Sequence, residues 1–209
     1  MPLTPPTHAL RTTPALLPPL VRAIDWTPFA AVIPLALAIT TLGAPTPAEA
    51  IPCLRVAAVL LAAAAAFALI DPMEPSTAAL PVPRSLRQNL RTLLALIPIT
   101  LTWTTIAAVV AARSPTPLPW SGLTLEAGML TATTLALAAV TVHRVPGKPA
   151  AAIATAALLA LLAGTLPLSL WPAPGTPTWP RAHHLWLAAL PIPLLTLLTA
   201  NHHPFRRTT

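Results

Sequence analysis

The sequence predicts an all-α fold: a polytopic integral membrane bundle of six transmembrane helices with both termini in the cytoplasm. Three observations predict it. Only 8% of the 209 residues are charged, while 55% are hydrophobic and mean hydropathy is +0.72. The apolar residues gather into six stretches separated by proline-rich connections. The Lys and Arg residues fall mostly on alternate connections.

A soluble domain carries roughly 25% charged residues. A chain with a third of that cannot coat a globule with polar surface, and a bilayer removes the need. The net charge of +7 follows membrane topology rather than a nucleic-acid footprint. The twelve Lys and Arg form no dense run, and a duplex binder needs clustered phosphate contacts. No nucleic-acid partner is expected; the bilayer itself is. The single Cys53 excludes an internal disulfide and any multi-cysteine metal site within one chain.

The apolar stretches run over Trp26–Leu42, Ile51–Ile70, Leu90–Ala112, Leu123–Val142, Ala150–Leu170 and Leu185–Ala200. Crossing about 30 Å of hydrocarbon takes about 20 helical residues. The first and sixth are shorter and interrupted, by Pro28 and Pro34 and by Pro191 and Pro193, so they are the weakest spans. Helix is the only sensible assignment, because backbone groups in hydrocarbon must pair within the protein. Runs such as Val59–Leu69 lack the alternation of a barrel strand. Domain organisation follows: residues 1–22 a disordered, proline-rich cytoplasmic tail, 23–201 the six-helix domain, 202–209 a basic cytoplasmic tail.

Orientation comes from the cations. One side holds Arg11, Arg22, Arg84, Arg87, Arg91, Arg144, Lys148, Arg206 and Arg207; the other holds Arg55, Arg113 and Arg181. Nine against three makes the first side cytoplasmic and implies a multi-pass protein of the plasma membrane. Trp120, Trp171 and Trp179 then form an outer belt. Ala48-Glu49-Ala50 resembles a small-residue cleavage site. The preceding segment is far too long and proline-rich for a signal, so the first helix is expected to stay.

Several chemistries are excluded. No glycine spacing fits a phosphate-binding loop or a dinucleotide fingerprint. No nucleophile–base constellation or carboxylate pair is recognisable, so the chain is not expected to be an enzyme, and no cofactor is implied. His183–His184 and His202–His203 lie 19 residues apart, about 28 Å along a helix. Neighbouring histidines also diverge by about 100° on a helix. They read as interfacial residues, and no metal site is expected.

Two features remain as candidate functional residues. Glu126 lies inside the fourth stretch, and an ionisable group within a span is a functional candidate by default. It could belong to a transport route, or lie shallow enough to meet the outer interface. Asp25 reads instead as a helix-start carboxylate accepting backbone N–H bonds. The cytoplasmic segment 71–91 is the densest polar stretch: Asp71, Glu74, then Arg84, Arg87 and Arg91 at spacings of three and four. Ser85 to Gln88 fits a capping box, so the third helix is expected to begin near Ser85, well before the membrane. These residues are either anchors beside lipid phosphates or a docking surface for a cytosolic partner.

In this segment the chain resembles the membrane subunits of ABC-2-type exporters and the small permease-like proteins that accompany ABC ATPases. The resemblance rests on Phe67-Ala68-Leu69-Ile70-Asp71-Pro72, Thr77, Pro81 and the Arg84/Arg87/Arg91 series, about 25 residues, and otherwise on topology. Where those proteins carry a second acid, this chain has Ile70. The resemblance implies a homo- or heterodimeric permease subunit energised by a separate cytosolic ATPase, which docks on Asp71, Glu74, Arg84, Arg87 and Arg91. The other reading of the same residues is a non-transport membrane protein, such as an accessory, immunity or assembly factor. It is favoured by the small number of polar residues within the spans.

Overall fold

The computed structural model describes residues 18–43, 47–70, 84–114, 116–145 and 147–202. Among these residues the protein is all helix, connected by turns, with no strand. The helices are α1 (Thr27–Leu42), α2 (Pro47–Ala68), α3 (Arg84–Arg113), α4 (Trp120–Val142), α5 (Lys148–Thr165), α6 (Thr178–Ala189) and α7 (Pro191–His202). A 3-10 turn, Leu166–Leu168, extends α5.

Five helical segments are long and apolar enough to cross a membrane: Glu49–Ala68, Ser85–Arg113, Trp120–Val142, Lys148–Leu168 and Thr178–His202. The last comprises α6 and α7 together. The chain breaks its helix at Leu190 because Pro191 and Pro193 carry no N–H to continue the ladder. The sixth expected stretch thus begins seven residues earlier than its apolar part, at Thr178 instead of Leu185. α1, with 16 residues, reaches only about 24 Å and is not one of the five. Residues 18–23 are helical, so ordered helix begins within the segment expected to be tail.

Helices α2 and α4 form the centre. α4 packs against α2, α5, α6 and α7, and α1 and α3 complete the shell around α2. The core is built from small side chains: Ala57, Ala58, Ala62, Ala64, Ala65, Ala66 and Ala68 of α2 are buried, with Leu54 and Leu61 between them. Small residues let helix backbones approach closely where lipid removes the ordinary hydrophobic drive. The outer faces stay apolar. Leu93, Ile97 and Leu101 of α3, Leu159 and Leu161 of α5, and Ile192, Leu195 and Leu198 of α7 are all exposed. So much exposed aliphatic surface suits hydrocarbon and not water. Threonine hydroxyls on these helices bond back to the preceding turn, as Thr105 does to Leu101 and Thr199 to Leu195. These hydroxyls are thereby satisfied within their own helix.

One end of the bundle joins the N-terminal segment, the α4–α5 turn, the start of α3 and the end of α7. There Lys148 pairs with Asp25 at 2.9 Å, Asn201 donates to Asn89 at 2.8 Å, and His143 Nε2 lies 2.8 Å from the Ala200 carbonyl. Asp25 behaves as expected of a helix-start carboxylate, accepting the Thr27 N–H at 3.1 Å. Its hydrogen bonds to Lys148 and Thr27 hold its pKa at about 2. The other end joins α1, α2, α3 and the α5–α6 connection, with Arg113 donating to the Thr41 carbonyl at 3.0 Å.

Candidate functional site

The polar centre of the molecule lies at that second end. Arg55 stands two turns into α2 and Glu126 nearly two turns into α4, so both reach the same level of the bundle from neighbouring helices. Arg55 Nε and Nη2 each donate to Glu126 at 2.8 Å, one to each carboxylate oxygen. This is a bidentate fork, the geometry that suits guanidinium and carboxylate best. Glu126 is 2% exposed and Arg55 18%.

The α5–α6 connection closes over the pair. The positive φ at Ser169 (51°, left-handed) and Gly175 (80°) folds it back. That turn directs two carbonyls at Arg55: Pro172 O accepts from Nη2 at 2.9 Å and Trp171 O from Nη1 at 3.2 Å. The indoles of Trp171 and Trp179 flank the guanidinium at 5.4 Å and 5.9 Å, within cation–π range. Trp171 is held by Thr165 Oγ1 and by an edge-on contact with Trp186. Trp186 in turn donates to the Leu170 carbonyl.

His183, on α6, completes the cluster. Its Nδ1 lies 2.8 Å from the Trp179 carbonyl, so Nδ1 carries the hydrogen. Its Nε2 lies 3.2 Å from Glu126 Oε1. That nitrogen is buried and forms no hydrogen bond. The contact is therefore one of proximity. Gly122 makes it possible: a Cβ there would meet His183 Nε2 and Trp179 Cζ2 at 2.7 Å. A close approach of α4 to α6 needs glycine at that position.

Chemically the cluster is a latch. Arg55 consumes the carboxylate, and only one imidazole is within reach. No group of three His, Cys, Asp or Glu side chains exists among the described residues. A buried charge in a span is expensive unless paired and hydrogen-bonded, and here both partners are. Three helices and a loop are tied together at one point.

The other expected site residues lie at the opposite end. Asp71, Glu74 and the Arg84 side chain fall outside the described residues. α3 begins at Arg84, close to the expected start at Ser85, but Ser85 and Gln88 do not form the expected capping box. Gln88 instead reaches the Leu69 carbonyl at 3.4 Å. Arg91 is 1% exposed and its guanidinium donates to the Ile70 carbonyl, closing the C-terminal end of α2. Arg91 is thus held against the end of α2. Arg87 is half-buried. His184 is exposed beside buried His183, and His202 ends α7.

A groove lies next to the latch. It is an open apolar cavity of about 430 Å³ between α3, α4 and α7, floored by Ala58 and Leu61 of α2. Trp103, whose Nε1 donates to Thr124 Oγ1 at 3.2 Å, lines it and also packs beside Glu126 and Arg55. The indole separates the groove from the charges.

Fold and site together define a helical protein with five helices of membrane-spanning length and a latched polar cluster near one end. No family model, curated protein or solved structure matches this chain.

Proposed function

We propose that the chain is the permease subunit of an ATP-driven exporter, energised by a separate ATPase. It would sit in the plasma membrane with both termini in the cytoplasm, α1 supplying a sixth crossing, and would work as a dimer. The observation that carries this reading is α3. Its 30 residues reach about 45 Å, some 15 Å beyond a hydrocarbon core of about 30 Å. The surplus turns carry Arg84, Arg87 and Arg91 next to segment 71–83, and the middle of the same helix forms one wall of the groove. A push on the basic end therefore has a continuous helical route to the groove wall. The latched far end supplies a fixed point for that movement.

A second reading, a non-transport accessory, immunity or assembly protein, is favoured by the latch itself. The Arg55–Glu126 pair neutralises itself, which leaves no unpaired charge in the cluster to line a polar path.

The test is affinity purification of tagged protein from native membranes in mild detergent. The permease reading expects a nucleotide-binding subunit to come with it, and R84E/R87E to release that subunit. Repeated recovery of the chain alone sinks the reading in favour of the second.

A further inference from the structure

We infer that the groove between α3 and α7 is a binding site for a single acyl chain of a membrane phospholipid, taken sideways from the bilayer. Its lining supplies little hydrogen-bonding need. The hydroxyls of Thr92, Thr100, Thr104 and Thr131 all bond to carbonyls of their own helices, at 3.0, 2.8, 2.8 and 2.8 Å. The Trp103 N–H is taken by the Thr124 hydroxyl oxygen, which leaves the Thr124 O–H as the one side-chain donor of the lining with no acceptor. A polar occupant would leave its own donors and acceptors unpaired there, a penalty hydrocarbon does not incur.

Size and direction agree. The wall from Thr92 to Thr104 spans about 18 Å along α3, close to the roughly 15 Å depth of one leaflet's hydrocarbon. The groove runs along the helices, as lipid chains do. Its volume of about 430 Å³ lies within the roughly 300–1,000 Å³ of small-molecule sites. The rims are the exposed aliphatics of α3 and α7, so the slot faces lipid.

Gly128 marks the α4 wall. A Cβ placed there meets nothing within 4 Å, so a side chain at this position grows into the groove without displacing a neighbour. Gly164 on α5 is equally open but lies away from the groove, and serves as control.

For a permease, such a groove makes the cargo a chain-bearing amphiphile; that extension rests on the preceding reading. The groove itself is tested without any ATPase. Purified full-length protein is reconstituted in phosphatidylethanolamine–phosphatidylglycerol vesicles containing phosphatidylglycerol with a photoactivatable acyl chain. It is then irradiated, and adducts are mapped by mass spectrometry. Adducts should concentrate on the groove-facing residues of α3, α4 and α7. G128L should lower them about tenfold, a difference of about 1.4 kcal/mol in occupancy. G164L, and adducts on the outer face of α5, should not change. T100F closes the slot from the opposite wall and should act alike, which covers a failure of G128L to fold. Even labelling of all lipid-facing helices, indifference to both variants, or cross-links between copies through the groove would each overturn the proposal. Groove labelling with no ATPase in the native-membrane purification would keep the lipid site and remove the permease.

Discussion

At the residue scale the latch is the most sensitive point. Glu126→Ala leaves Arg55 buried with two carbonyls and no counter-charge, and Arg55→Ala leaves Glu126 bare. Breaking one side of a buried pair costs about 3–5 kcal/mol, whereas replacing both partners with apolar residues of similar volume is close to neutral. We therefore expect each single variant to lower the thermal midpoint sharply in detergent. R55M/E126L should recover most of the loss in a double-mutant cycle. Gly122→Ala should also destabilise, because its methyl displaces His183 and Trp179 from α4; Gly164→Ala, which meets open space, should not. Glu126 was legible in the sequence as an acid within an apolar stretch. Its partners were not. Arg55 entered the sequence reading as one of the outer cations and His183 as an interfacial residue. The signal available was depth: Arg55 and Glu126 lie four residues after Ile51 and three after Leu123, so both stand near the same ends of their stretches. Opposite charges at equal depth in separate spans call for each other, but periodicity along one helix cannot say which helices are neighbours.

At the element scale the long spans were legible because length and apolarity suffice to define a helix in lipid. α2 to α5 match their stretches closely. α3 and α6 gained residues that hydropathy excludes, since a helix continues through polar residues once its packing and backbone bonds are satisfied. α6 runs through Arg181, His183 and His184 for this reason. Asp25 gives this scale its pH test. Its folded pKa of about 2 lies below the ordinary aspartate value of 3.8, so it stabilises at higher pH. That contribution is complete above about pH 4 and fades as pH falls toward 2. Lys148 is largely exposed, so water screens the pair. We expect D25N to cost less than about 1 kcal/mol at pH 7 by denaturant unfolding, with the difference from the parent vanishing near pH 2.

At the scale of the whole molecule, one end is fixed by the latch and the other carries the long basic helix, with the groove between them. Segment 71–83 lies outside the described residues, and the docking account depends on it together with Arg84 and Arg87. The most direct measurement is the mild-detergent purification of tagged protein from native membranes, with nucleotide-binding proteins read out by mass spectrometry. The account predicts a stoichiometric ATPase that is lost in R84E/R87E and kept in D25N. Recovery of the folded chain with no nucleotide-binding protein would contradict it.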